Sequence, residues 1–167
     1  MASSEVRAYV GAGSNIEPER HLRAALHDLE RRFGTLSRSS VYRTSAVGFH
    51  GDDFLNLVVS FRTSLSAAEL VTELDRIEAS AGRRRHAERF APRTLDLDLL
   101  MYADTVVDVP GLKLPRDDIV EYAFVLGPLA ELEPDLAHPV SGATMRELWE
   151  RFEEGDQPIR RLADSPV

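Results

Sequence analysis

Two aspartates separated by a single residue have the clearest potential for chemistry in this chain. Asp96 and Asp98 lie in segment 93–100, where apolar and acidic residues alternate. A period of two is typical of a β-strand, so both carboxylates would share one face, with Cα atoms about 6.5 Å apart. The leucines between them would then face a core. Paired carboxylates are suitable ligands for a hard cation, and Mg²⁺ is the obvious candidate.

The same alternation also fits a half-buried strand whose polar face meets water. The preceding segment, 82–93, favours the metal interpretation because it places five arginines within eleven positions beside the carboxylate pair. Guanidinium groups match the geometry of phosphate oxygens. The combination therefore predicts a site for a small polyanion that binds together with a metal ion.

Length and composition predict one domain. A chain of 167 residues, 43% hydrophobic and 29% charged, can bury a substantial core. We therefore expect a single domain over residues 1–167, with its core at about 6–152. The net charge of −8 argues against a nucleic-acid partner, and the absence of cysteine excludes thiolate metal sites. We expect a cytoplasmic protein with no membrane partner, since no secretory signal or membrane-length apolar run is evident.

A glycine-containing turn at 11–15 follows the first predicted strand, but it matches neither common phosphate-binding motif. Ile16 stands where a dinucleotide fingerprint needs its third glycine, and the Gly-Lys-Ser/Thr of a P-loop is missing. A bound triphosphate would therefore be held mainly by side chains and metal.

Hydrophobic periodicity and turn residues predict the elements that position these side chains. The order strand, helix, strand, strand, helix, strand is that of a split βαβ, ferredoxin-like α+β fold, with helices packed on an antiparallel sheet. Additional C-terminal helices would follow this core, and the last dozen residues are predicted to be poorly ordered. The predicted strands are at 6–10, 37–44, 54–62, 96–102 and 105–109, and the predicted helices at 18–33, 67–81, 118–132 and 144–152.

Segment 82–98 resembles the signature of the hydroxymethyldihydropterin pyrophosphokinase family. The resemblance extends from about Val6 to about Pro139. The family has a ferredoxin-like fold and transfers the pyrophosphoryl group of ATP to the hydroxymethyl oxygen of a reduced pterin, releasing AMP, in folate biosynthesis. The resemblance therefore implies this fold and this reaction. The further matching motifs are at 13–15, 39–44, 54–56, 76–78, 114–115 and 124–129.

The resemblance also implies roles on the nucleotide side. Arg83 and Arg93 would be the catalytic arginines that clamp the phosphates, and Asp96 and Asp98 would hold two Mg²⁺ ions. The residues implied to bind ATP are Glu78, Arg85, Phe90, Leu99, Lys113 and Arg116.

On the acceptor side, a flat pterin needs aromatic stacking partners and polar groups at its edge. The resemblance assigns stacking to Phe54 and Phe124, which composition alone would place in the core. The residues implied to read the pterin edge are Thr44, Ser45, Val47 and Asn56.

Two positions depart from the family pattern. Arg116 stands where many members have histidine, and Tyr122 stands where many have arginine. Positive charge on the nucleotide side would therefore shift toward Lys113 and Arg116. The alternatives are a related Mg-dependent phosphotransferase or phosphohydrolase acting on another substrate, and a non-catalytic module that binds nucleotide or pterin. We expect a monomer, because no surplus apolar face is evident.

Overall fold

The computed structural model describes residues 4–45, 52–82, 95–153, 155 and 157–167. The strands and helices are named here in chain order. They are β1 (Val6–Ser14), α1 (Pro18–Phe33), β2 (Ser37–Arg38), β3 (Tyr42–Thr44), β4 (Phe54–Thr63), α2 (Ala67–Ser80), β5 (Asp96–Tyr102), β6 (Val107–Val109), β7 (Leu112–Leu114), α3 (Asp118–Glu121), α4 (Ala123–Leu132), α5 (Met145–Arg151) and β8 (Ile159–Arg161).

Within the described residues, the main sheet has six strands. Five lie in the order β5-β1-β4-β3-β8, and β2 pairs with β4. Every pairing in this sheet is antiparallel. Because β2 and β3 together correspond to the second strand of the split βαβ, β4 is its third strand and β5 its last. Strand β4 lies on one side of β1, and β5 lies on the other. This topology confirms the predicted ferredoxin-like fold.

Helices cover both faces of the sheet. On one face, alternate residues of β1 and β4, such as Val10 and Leu57, belong to one buried cluster with Leu26 of α1 and Leu74 of α2. On the other face, α4 packs over β4 and β3 and contributes to a second cluster. Among the described residues, no helix has the length and apolar content needed to cross a bilayer.

Local sequence signals explain where the long helices begin. Pro18 occupies the first turn of α1, where its fixed φ angle is suitable and its missing N–H costs nothing. Ser66 and Glu69 form the predicted reciprocal capping box at the start of α2. Thr144 and Glu147 form an equivalent box at α5.

Two predicted elements are divided in the structure. The strand expected at 37–44 is divided into β2 and β3 because the Ser39 side chain accepts a hydrogen bond from the Val58 backbone N–H at 2.9 Å. The helix expected at 118–132 is divided at Tyr122, whose backbone is extended with φ −123° and ψ 126°. Both breaks depend on tertiary context that local periodicity does not report.

The expectation of a poorly ordered tail is wrong for Ile159–Arg161. These residues form β8 and pair with β3 in antiparallel register. The strand is short and lies among polar residues, so its own sequence gives little β signal. Its partner lies far away along the chain, which is why local pattern does not find it.

Candidate functional site

The acidic strand has the predicted orientation. In β5, Asp96 and Asp98 are half-buried, whereas Leu95 and Leu97 are only 1% and 3% exposed and lie in the core beneath α1 and α2. The two carboxylates therefore share the face opposite those helices. The alternation of leucine and aspartate therefore places both carboxylates on one face of β5, as the sequence predicted.

Glycines on the neighbouring strand leave room beside these carboxylates. Asp98 pairs with Gly11 and Asp96 pairs with Gly13 across the β1·β5 ladder. Residues directly opposite in an antiparallel pair point to the same face, so no side chain of β1 flanks either aspartate at these positions.

Arg116 lies beside the carboxylate pair. Its backbone N–H donates to the Leu100 carbonyl at 3.0 Å, which holds the residue against β5. One guanidinium nitrogen lies 3.9 Å from Asp98 Oδ1 and another 3.3 Å from Asp118 Oδ1. The Nε atom of Arg116 is buried and has no hydrogen-bond partner among the described residues. An anionic ligand oxygen would satisfy this orphaned donor.

The electrostatics of the site favour a bound cation. Burial and the adjacent negative charge of Asp96 raise the pKa of Asp98 to about 7, against the opposing charge of Arg116. The Asp98 side chain is 32% exposed, so water screens part of this repulsion. A cation between the two carboxylates would stabilise both in the charged form.

Hard oxygen ligands suit Mg²⁺, which commonly binds through one or two carboxylates and completes its shell with phosphate oxygens and water. Within the described residues, no group of three or more His, Cys, Asp or Glu side chains is arranged to hold a metal. Asp96 and Asp98 therefore fit a magnesium site that an incoming phosphate would help to complete.

Glu78 of α2 lies beneath β5, the strand that carries Asp96 and Asp98. Its side chain is 1% exposed, and its Oε2 accepts a hydrogen bond from the Leu97 backbone N–H at 2.7 Å. Leu97 is the residue between the two aspartates. Glu78 therefore fixes β5 from the core side, while its predicted contact with nucleotide stays a prediction.

Two of the four predicted pterin-edge residues, Thr44 and Asn56, lie together on β3 and β4. The Asn56 side-chain N–H donates to Thr44 Oγ1 at 3.0 Å, and both residues are buried. Gly13 lies opposite Asn56, and a Cβ at that position would lie only 2.5 Å from Asn56 Oδ1. Glycine is therefore required at position 13 for the Asn56 amide to occupy this place. Ser45 follows β3 and is exposed.

The two proposed stacking residues lie on different elements. Phe54 opens β4 opposite Thr44, and Phe124 lies in the first turn of α4. Both are half-buried, and Phe124 also packs against the second hydrophobic cluster, so their stacking on a pterin stays a prediction. The Phe124 ring stacks on Tyr122 with centroids 5.1 Å apart and an interplanar angle of 21°.

Of the remaining residues predicted to bind nucleotide, some are described by the structure and others lie outside the described part of the chain. Leu99 is 5% exposed on the core face, and Lys113 on β7 is exposed and lies 3.0 Å from Asp117. Their contacts with ATP stay predictions. The residues that lie outside the described part of the chain are Val47, Arg83, Arg85, Phe90 and Arg93.

Sequence reasoning missed two contributors to this site. The turn predicted at 11–15 is wrong for residues 11–14, which continue β1, and Gly11 there leaves space beside Asp98. Asp118 orients Arg116. The position of Asp118 two residues after Arg116, in the first turn of a helix, was the available signal.

The fold and the site together define a class: a small ferredoxin-like α+β domain in which one sheet face carries a carboxylate pair suited to a metal ion, with a half-buried arginine beside it. A family model described as 7,8-dihydro-6-hydroxymethylpterin-pyrophosphokinase (HPPK) matches residues 9–134. The chain belongs to this family.

Curated relatives agree with this placement, and a solved structure shares the fold. A Synechocystis protein named 2-amino-4-hydroxy-6-hydroxymethyldihydropteridine pyrophosphokinase is 41% identical over 149 residues, covering 87% of this chain and 76% of its own. A protein of the same name from Pseudomonas aeruginosa is 40% identical over 137 residues, covering 80% of this chain and 84% of its own. A crystal structure of Plasmodium falciparum HPPK-DHPS with pteroate superposes with a TM-score of 0.72 at 13% identity. It covers 90% of this chain and 43% of that longer chain, and it supports the fold alone.

Proposed function

We propose that this chain transfers the pyrophosphoryl group of ATP to the hydroxymethyl oxygen of 6-hydroxymethyl-7,8-dihydropterin and releases AMP, as a step of folate biosynthesis. Membership of the HPPK family supports this proposal, as do relatives named as pyrophosphokinases for this pterin.

The observation that carries the proposal is a row of three residues across the sheet. Gly13 pairs with Asp96 on one side and with Asn56 on the other. Directly opposite residues share a face, and neighbouring strands are about 4.8 Å apart, so Asp96 and Asn56 lie about 10 Å apart on one face. A metal–phosphate site and a pterin-edge site separated by this distance suit group transfer between two bound substrates.

Positioning and charge neutralisation would supply most of the catalysis, as in other phosphoryl transfers. Asp96 and Asp98 would hold two Mg²⁺ ions, which when bound would neutralise charge on the phosphate oxygens. Arg116 would present its guanidinium to the same phosphates. Arg83 and Arg93 would act as phosphate clamps, which suits their fork geometry.

The acceptor half would hold the pterin by its edge and its faces. Asn56 and Thr44 would hydrogen-bond the polar edge, and Phe54 and Phe124 would supply stacking surfaces. Fixing the hydroxymethyl oxygen near the β-phosphorus would convert a bimolecular reaction into an effectively unimolecular one.

We further propose that the chain works as a monomer in the cytoplasm. The exposed large apolar side chains among the described residues are one isoleucine and four valines, and two of these, Val106 and Val109, are near each other in sequence; so small a set does not suggest a partner surface. Cysteine-free composition is compatible with a reducing compartment, where ATP is available.

Purified protein, Mg²⁺, ATP and the pterin alcohol test the proposal, with nucleotides resolved by chromatography. The expected product is AMP, formed only when the pterin and Mg²⁺ are both present. ADP as the product would indicate a kinase, phosphate release without pterin would indicate a phosphohydrolase, and binding without turnover would indicate a passive module. Each of these outcomes would contradict the proposal.

Two charge-neutral variants test the carboxylate pair. We expect Asp96→Asn and Asp98→Asn each to lower kcat by at least about 100-fold, because each removes a metal ligand. Asp135→Asn is the matched control, since its side chain is 82% exposed and pairs only with Arg146 among the described residues. Near-normal turnover of both site variants would contradict the metal role.

A further inference from the structure

Segment 157–167 lies beyond the residues that the family model matches, which end at 134. It nevertheless contacts two elements of the proposed acceptor site. These are α4, which carries Phe124, and β3, which carries Thr44. The role of this segment is therefore a question that family membership does not answer.

Gln157 supplies a cap for α4 from far along the chain. Its Oε1 accepts a hydrogen bond from the Ala123 backbone N–H at 3.1 Å, and its Nε2 donates to the Glu121 carbonyl at 3.1 Å. The first N–H groups of a helix have no partner within the helix. Tyr122, the N-cap residue, makes no side-chain capping bond. Gln157 therefore fixes the helix start directly before Phe124.

Strand β8 reaches α4 through a side chain as well. Ile159 pairs with Thr44 in the β3·β8 ladder. A Cβ built on Gly127 of α4 would lie 2.6 Å from Ile159 Cδ1, so the glycine is what allows this close approach. One residue of β8 thus contacts both β3 and α4.

A polar cluster joins the same elements at the other end of β3, near Tyr42. The Glu131 carboxylate of α4 accepts hydrogen bonds from the Tyr42 hydroxyl and the Ser40 hydroxyl, both at 2.7 Å. Arg161 of β8 donates to Ser40 Oγ at 2.8 Å. These charge-assisted contacts connect α4, the start of β3 and β8.

We infer that Gln157 and β8 form a positioning element for the acceptor half of the site, with Gln157 as a positioning residue that holds Phe124 in place relative to Thr44 and Asn56. The inference rests on the proposed function, because Phe124, Thr44 and Asn56 are its proposed pterin residues. The phosphate half, at Asp96 and Asp98, lies on β5, the opposite edge strand of the described sheet, with β1, β4 and β3 between it and β8.

This arrangement predicts a selective kinetic effect. If the start of α4 loosens, only the fraction of molecules with Phe124 in place binds pterin well, so the apparent affinity equals the intrinsic affinity multiplied by that fraction. ATP affinity depends on the other edge of the sheet and should change little. A general loss of structure would change both.

The experiment compares Gln157→Ala with Arg160→Ala in the full chain. Arg160 is exposed and lies on β8, so it is a matched control that leaves the Gln157 contacts intact. We expect Gln157→Ala to raise KM for the pterin about fivefold, which is the fold-change equivalent to the free energy that a helix cap typically contributes. KM for ATP should stay within about twofold of wild type. Gln157→Glu should lie between, because it keeps the acceptor for Ala123 and loses the donor for Glu121.

Hydrogen–deuterium exchange supplies a readout that does not depend on turnover. Amides of residues 122–127 should exchange faster in Gln157→Ala than in wild type, while those of β5 stay unchanged. Unchanged exchange at 122–127, or equal rises in both KM values, would overturn the inference. Absence of pterin-dependent AMP from the wild type would instead overturn the proposed function, and the exchange result would still decide whether Gln157 fixes α4.

Discussion

At the residue scale, Glu78 is the least expected feature of the site. Resemblance assigns it to the nucleotide, whereas the structure buries it to 1% exposure with its carboxylate on the Leu97 N–H. A carboxylate on a backbone donor is a stronger hydrogen bond than a neutral pair. Glu78 holds Leu97, the residue between the two proposed metal ligands, and so connects the core to the site.

Replacing Glu78 tests this support. We expect Glu78→Ala to lower the free energy of unfolding by about 1–3 kcal/mol, because a buried N–H loses its partner. Glu78→Gln should lose less, since its amide oxygen can still accept from Leu97. Urea denaturation measures both, with Glu150→Ala on exposed α5 surface as the control. Equal stability of Glu78→Ala and Glu150→Ala would show that the contact contributes nothing.

At the element scale, local signals and long-range contacts differ in what sequence reveals. The Ser66 capping box and the alternation of β5 are encoded within a few residues, and both were predicted correctly. The break at Ser39 and the cap from Gln157 depend on partners on other elements. Propensity and periodicity carry no information about such partners, so the split elements and β8 could not be predicted.

The loop before α5 contains a pH-sensitive contact. His138 is 8% exposed, and its Nδ1 accepts from the backbone N–H groups of Val140 and Ser141, both at 3.3 Å. Burial lowers the pKa of His138 from its ordinary value of 6.5. Protonation would turn this acceptor into a donor and charge a buried ring.

The sign of the pH effect follows from the lowered pKa. The folded state binds the proton more weakly than the unfolded state, so the contribution of His138 is fully present above about pH 6.5 and is lost as pH falls below it. We expect His138→Asn, whose amide oxygen accepts without titrating, to flatten the fall in Tm between pH 7.5 and pH 5. Scanning calorimetry measures it, and parallel Tm profiles for wild type and variant would contradict this role.

At the scale of the whole molecule, the fold brings distant segments onto one sheet face. The order β5-β1-β4-β3 places Asp96, Gly13 and Asn56 in one row, although they lie in three separate strands. The order of elements along the chain predicted the split βαβ fold, and family resemblance predicted the site residues. The row itself required the register, because a shift of one residue would move every side chain to the other face.

The most direct test of the central proposal follows phosphorus in both products. ³¹P NMR of a reaction with Mg²⁺, ATP and 6-hydroxymethyl-7,8-dihydropterin should show one AMP formed for each pterin diphosphate, with the β- and γ-phosphorus atoms of ATP transferred together. That result would establish pyrophosphoryl transfer from ATP to the pterin. A pterin monophosphate with ADP, or AMP and free pyrophosphate with unchanged pterin, would contradict it.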